Sequence, residues 1–560
     1  MERLLRVFNK EWSGLHEAAF LLAGTAFLSQ MLGLVRDRML AGQFGASVSL
    51  DIYYAAFRIP DFLYASVASF VAVTVLIPFI LERIVEERSA HEVRNFINTI
   101  CTVFVVVMSF ACVLAYIFLP HLATFIAPGF STEAKAEMVE ISRILLLSPF
   151  LLGISNLFGA ITQSLRRFFV FALGPVLYNI GIIIGITIFM PSFGIAGVAW
   201  GVLLGALMHV LIQLPVLFSR GLMPRFVFPI DVSIVKKVVK LSIPRTLALS
   251  ATHFATIVLI SFASRIENGS IAIFTLAMNL QSIPLTIVGM SYSVAAFPTL
   301  AKLWGKGAHD DFFEQIVTAT RHIMFWSFPA IVLFIVLRAQ IVRSVLGTGA
   351  FDWTATRLTA AALALFAISV IAQNLVLLYT RSFYSMGKTK ATLYANVSGA
   401  GLVVCSSLFL LYIFKESITF RYFAETLLRV SDIPGTSILM LPLGYSIGMI
   451  ANLVFLLLIL AKPFPHLLQN VKKAFLHSFT TSIVMGFVAY HGLQIFAHVF
   501  DLETFTGIFL QGLGAGAVGV CAGIFLLRLM DNTELEEVRI SLHRKFWKVK
   551  PIATEQEGIT

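Results

Sequence analysis

The chain has 560 residues, of which 58% are hydrophobic and only 13% charged, with 51 Phe, and its mean hydropathy is +0.88. A soluble fold of that length would carry more core than its polar skin could cover, which leaves a polytopic helical membrane protein. Apolar runs of twenty or so residues exclude the alternating strands of ~10 residues that build a membrane barrel. The net charge of +11 does not mark a nucleic-acid binder, because the Lys and Arg residues fall in short connectors, where they orient helices.

Hydrophobic periodicity and length predict fourteen spans, at about 17–40, 52–82, 95–119, 137–163, 170–190, 194–218, 238–264, 270–300, 318–343, 357–381, 391–414, 437–461, 473–498 and 504–529. The first follows MERLLRVFNKEW without a small-residue cleavage pattern, which predicts an uncleaved helix. Connectors rich in Lys and Arg alternate with connectors poor in them, such as GQFGASVSL and PSFG. That alternation predicts both termini in the cytoplasm. The basic connectors around Arg343 and Arg357, and over 415–436, break the pattern. Connector 415–436 is the longest outside loop and carries an amphipathic turn or two. The tail 530–560 is basic, with a solvated tail the expectation and a seat on the anionic leaflet the alternative.

Between Gly33 and Phe62 the chain sets Arg36, Asp37 and Arg38 together, then Asp51 and Arg58, within otherwise lipid-soluble helix. A charged side chain at membrane depth costs at least ~2.5–3.5 kcal/mol, so such groups face a bundle interior, a partner or a wet cavity. Two of them in one helix hairpin suggest a polar cavity. Snorkelling of Arg36 and Arg38 to an interface, with Asp37 as local partner, is the alternative from charge placement alone.

TQSLRRFFVFALGPVLYNIG and TRSFYSMGKTKATLYANVSG lie six spans apart and place Tyr178 and Asn179, or Tyr394 and Asn396, inside the following helix. This hints at two parallel repeats, an arrangement in which a transporter's substrate site lies between the halves. Pro60, Pro78, Pro149, Pro175, Pro215, Pro244 and Pro284 fall in or beside spans, as helices bent around a cavity would require. No GxxxxGK[ST], HExxH, GxSxG or CxxC occurs, and the four cysteines show no metal or disulfide spacing. The expectation is a protein that is not an enzyme and has no cofactor or metal.

The motifs LGLVRDRMLAGQFG, AAFRIPDFL, IAPGF (126–130), LRRFFVFALGPVLYN, FPTLAKL (297–303), GTGAFDWTATRLTAAALALF and RSFYSMGKTKATLY run in order across nearly the whole chain. On them the sequence resembles the MurJ/MviN family of lipid II flippases, within the multidrug/oligosaccharidyl-lipid/polysaccharide exporter superfamily. The resemblance implies an all-α fold of two six-helix lobes related by a pseudo-twofold along the membrane normal, plus two C-terminal helices lining a lipid groove. It divides the chain into an N-lobe (1–219), a C-lobe (220–436 and 437–462), groove helices (463–529) and a tail (530–560). The implied activity is translocation of a polyprenyl-pyrophosphate-linked glycan precursor, lipid II, for peptidoglycan synthesis by alternating access. The implied partners are that lipid-linked glycan, membrane lipids and cell-wall synthesis proteins. A relative moving another lipid-linked oligosaccharide or amphiphile, or a non-transporting envelope scaffold, is the alternative.

Arg36 and Asp37 match the family's Arg-Asp pair, and Arg58 matches a basic position in its second helix. Where the family carries further cavity arginines this chain has Gln30, Tyr64 and Asn279, and an acid–glycine pair is replaced by Ser69 and Phe70. Arg245 and Arg265 are candidates to compensate. The expected substrate-binding set is therefore Arg36, Asp37, Arg58, Asp51, Arg38, Gln30, Asn279 and Arg245, with Phe509, Gly512, Gly514 and Gly516 lining the groove.

Overall fold

The computed structural model describes residues 15–68, 90–165 and 167–546. Every regular element among them is helical, because in lipid a helix satisfies its own backbone. The first half comprises α1 (Leu15–Phe44), α2 (Val48–Ala56), α3 (Arg58–Ser66), α4 (Ala90–Ile126), α5 (Thr132–Leu145) and α6 (Leu147–Ser164). It continues with α7 (Phe168–Ile184), α8 (Met190–Phe193), α9 (Ile195–Leu211) and α10 (Leu214–Ser219). The second half comprises α11 (Val232–Ala263), α12 (Ser270–Pro284), α13 (Ser291–Gly305), α14 (His309–Val336), α15 (Arg338–Leu346), α16 (Trp353–Ala367) and α17 (Val370–Ser385). After it come α18 (Thr389–Glu416), α19 (Ile418–Leu428), α20 (Met440–Ala461), α21 (Leu467–Ala497), α22 (Phe505–Leu529) and α23 (Thr533–Phe546).

Among the described residues eleven helices are long and apolar enough to cross a membrane, or twelve with the bent pair α16–α17 taken as one span. The first two expected spans fall outside that number. α1 occupies the first, and α2 and α3 begin the second, whose remainder lies outside the described residues, as does Pro78.

Two of the prolines singled out in the sequence precede breaks in α-helical geometry, while the one broken span among the described residues, bent by 44° between α16 and α17, contains none of them. A π-turn at Gly185–Phe189 follows α7, which contains Pro175, and another at Leu285–Met290 follows Pro284. Each frees backbone carbonyls where neighbouring groups can take them up.

Packing is close where small residues meet. A Cβ on Gly181 would lie 2.3 Å from Gly205 Cα, and one on Gly185 would lie 2.6 Å from Gly201 Cα. The spacing Gly181-xxx-Gly185 against Gly201-xxx-Gly205 therefore sets α7 backbone-on-backbone against α9. α21 and α22 form their own hairpin, leaning on α14 and α15.

The largest buried cluster joins the two lobes at one face of the bundle, through Leu40, Leu50, Ile260, Ile271, Leu346 and Phe351. That face collects the end of α1, the start of α2, the α11–α12 turn and the segment after α15. The polar residues considered next lie beneath it.

Candidate functional site

Arg36 sits on α1 at the junction of the lobes. Its guanidinium donates from Nε to Asp37 Oδ1 at 2.9 Å and from an NH2 group to Asn179 Oδ1 of α7 at 3.1 Å, and its other terminal nitrogen lies 2.8 Å from Asp37 Oδ1. Asn179 is oriented in turn, because its Nδ2 donates to the Ser29 carbonyl at 3.2 Å and the Pro175 carbonyl at 3.1 Å. From the other lobe, Asn279 Nδ2 of α12 donates to Asp37 Oδ2 at 3.0 Å. Arg36 keeps 22% of its side-chain surface exposed while Asp37 keeps 5%. The carboxylate is thus enclosed, while the Arg36 side chain keeps part of its surface accessible and has donors of its fork left for an acceptor.

Around this pair lie Tyr53 and Tyr54, both buried, and Tyr178. Arg58, half-buried at the start of α3, donates from Nε to the Tyr54 carbonyl at 3.0 Å. Asp61 on the next turn lies near Arg58 and near His253 of α11. The sequence singled out Arg36, Asp37, Arg58 and Asn279. Asp61 and the joint role of Tyr53 and Tyr54 were missed, although Asp61 stands in the IPDF motif. Asn179 was noticed only as a repeat residue.

Other expected site residues sit elsewhere. Asp51 is 2% exposed and accepts from Gly269 N and Ala272 N, each at 2.7 Å, so it caps the N-terminus of α12 across the lobe interface. Arg38 donates to the Ser344 carbonyl at 2.6 Å, and its guanidinium lies 5.0 Å from the Phe505 ring centroid, tying α1 to α15 and α22. Gln30 is half-buried on α1, roughly 9 Å along the axis from Arg36. Tyr64 accepts from Asn156 Nδ2 at 2.9 Å. Arg245 lies on α11 roughly 12 Å from the level of His253, with Tyr384 and Arg381 as its electrostatic neighbours. Arg265 is exposed just past the end of α11, at the face where the lobes meet.

That face is sealed by backbone. Ala350 N donates to the Gly42 carbonyl at 2.8 Å, and Gly129 N donates to Ser264 Oγ at 3.3 Å. With the Asp51 cap and the Arg38 tie, these bonds hold the lobes together on one side of Arg36.

On the C-lobe side an apolar cavity of about 790 Å³ opens between α12, α14, α21 and α22, lined by Ile287, Phe325, Pro329, Met485 and Ile524 among others. The glycines expected to line it pack instead: a Cβ on Gly512 would meet Gln340, and one on Gly514 would meet Phe496. They let α22 approach its neighbours, and the cavity wall begins further along that helix, at Val520.

Comparison with known proteins agrees with this architecture. The family described as lipid II flippase MurJ matches residues 40–510. A probable lipid II flippase MurJ of Bdellovibrio bacteriovorus is 27% identical over 396 residues, covering 68% of this chain and 75% of that protein. The lipid II flippase MurJ of Burkholderia cenocepacia is 23% identical over 380 residues, covering 66% and 73%. Among solved structures, a lipid II flippase MurJ in an inward closed conformation superposes with a TM-score of 0.71 at 21% identity, covering 92% of this chain and 100% of that one. An inward-facing multidrug resistance MATE transporter of the MOP superfamily gives a TM-score of 0.61 at 17% identity, covering 79% and 96%. The chain belongs to the lipid II flippase MurJ family.

Proposed function

We propose that this chain flips a polyprenyl-pyrophosphate-linked glycan precursor, lipid II, across the bacterial cytoplasmic membrane for peptidoglycan synthesis, by alternating access between its two lobes. The observation that carries this reading is Arg36: a half-buried guanidinium at the lobe junction, held by Asp37 and Asn179, with donors left over. A pyrophosphate entering a low-dielectric cavity needs a fixed positive fork of that kind. Arg58 adds a second positive charge in the same hairpin. The apolar cavity suits the prenyl chain, and the boundaries 1–219, 220–462 and 463–529 serve as N-lobe, C-lobe and groove helices. Both termini are cytoplasmic on this reading, which puts the sealed face outside.

A second reading, a less anionic lipid-linked oligosaccharide as cargo, is favoured by one observation. Asn279 is spent on Asp37, and Gln30 and Tyr64 bring no charge. Complementation of a strain depleted of its own lipid II flippase separates the two. Growth rescue by the wild-type chain, lost in Arg36→Ala at normal protein level, supports lipid II. Failure of the wild-type chain to rescue, or full rescue by both Arg36→Ala and Arg58→Ala, rejects it.

A further inference from the structure

The groove is not walled by membrane helices alone. α23 lies beyond the family match, which stops at residue 510, and it contributes Leu535, Val538 and Arg539 to the cavity lining. Apart from Thr481 and Arg539, that lining has no hydrogen-bonding side chain except Trp326, whose indole N–H is already spent on Tyr292 at 3.0 Å. A long hydrocarbon is the ligand class such a surface favours.

A polar latch holds α23 in place. Arg321 on α14 donates from Nε to Glu534 Oε1 at 2.6 Å and from an NH2 group to Thr533 Oγ1 at 2.6 Å. Beside it, His322 Nε2 meets Glu537 Oε2 at 2.8 Å. Glu534 is 2% exposed, and Asn532 Nδ2 donates to its second oxygen at 2.7 Å. Latch and wall share a helix: Arg321 and His322 stand one turn before Phe325 and Trp326, which line the cavity. On α23 the faces divide, with Glu534 and Glu537 toward α14 and Leu535 and Val538 toward the groove. Within a tail read from its charge as solvated, residues 533–546 thus form a helix docked on α14.

We propose that α23 forms the end wall of the lipid groove and positions the polyprenyl chain of the cargo, with Leu535 and Val538 contacting the chain and the Arg321–Glu534 pair fixing the helix. This rests on the flippase reading above and adds to it an element outside the matched family region.

The test uses the full chain in nanodiscs of phosphatidylethanolamine and phosphatidylglycerol, with a polyprenyl monophosphate as probe. Amide hydrogen exchange over 533–546 is expected to be slow in the wild type and slower still with the probe. In Glu534→Arg it should rise about tenfold, and the paired Arg321→Glu, Glu534→Arg variant should restore protection. Rescue of the depleted strain should fall at least about tenfold in Glu534→Arg and recover in the paired variant. The proposal is overturned if the probe leaves exchange over 533–546 unchanged, or if Glu534→Arg frees the helix and rescue stays at the wild-type level. A wild-type chain that fails to rescue rejects the flippase reading on its own, while the exchange response to the probe still decides the wall.

Discussion

Asn279 of one lobe donates to Asp37 of the other at 3.0 Å, so the carboxylate that steadies Arg36 is itself steadied across the lobe interface. Any motion that separates the lobes there must break this bond and loosen the hold on Arg36. Presentation of the guanidinium and closure of the lobes are thereby one structural event.

Asn279→Leu leaves half of an enclosed carboxylate without its donor, at about 1–3 kcal/mol. Asn279→Asp is harsher, because two carboxylates would then face each other at hydrogen-bond distance. Growth rescue of a flippase-depleted strain, normalised to protein level by immunoblot, should fall for Leu and vanish for Asp. Equal, full rescue by both would detach Asn279 from function.

Asp51 makes a different prediction, because it holds the seal and not the cavity. Its two charge-assisted bonds to Gly269 N and Ala272 N are each worth about 1.5–3 kcal/mol. Asp51→Ala should shift the lobes away from the closed face by about tenfold or more in population. The measurement is labelling of an Ala46→Cys reporter by a membrane-impermeant maleimide, expected to quicken in Asp51→Ala. Unchanged labelling would show that the cap contributes nothing to closure.

Asp51 also shows where sequence reading reached its limit. Hydropathy and connector charge made the helical class legible because it is a local pattern, and local pairing of Arg36 with Asp37 entered from charge placement only as the alternative to a cavity. Asp51 looked like a cavity charge because its partners lie 218 and 221 residues away, at a helix N-terminus that composition cannot bring to it. α23 was hidden for the same reason, as Glu534 meets Arg321 across 213 residues. The glycines of α22 were expected to line the groove, but packing of α22 on its neighbours claims them before lipid does.

The seal also depends on two glycines that admit no side chain. A Cβ on Gly129 would fall 1.9 Å from the Ser264 carbonyl oxygen, and one on Gly269, at φ +87°, would fall 2.3 Å from that of Ala46. Both obstacles are backbone, so the lobes must move apart to admit a methyl group. Gly129→Ala and Gly269→Ala should each raise maleimide labelling of the Ala46→Cys reporter. Gly24→Ala, where nothing lies within 4 Å, should leave it unchanged. Equal labelling in all three would mean that the closed face yields without opening.

The latch on α23 carries a pH signature with a definite sign. Burial pushes the Glu534 carboxyl up, but its own backbone N–H, the Arg321 guanidinium and Asn532 outweigh that and hold it below its ordinary 4.5. A carboxyl depressed on docking stabilises the docked state fully above its free value, and that stabilisation is lost as pH falls through the depressed one. On account of Glu534, docking of α23 should be flat through neutral pH and weaken only in acid below about 4.5. Glu534→Gln should remove this acid transition and leave α23 more weakly docked at neutral pH. Limited proteolysis after Arg539 at a series of pH values, with an acid-active protease at the low end, reads docking directly. An acid transition that persists unchanged in Glu534→Gln would take the latch away from Glu534.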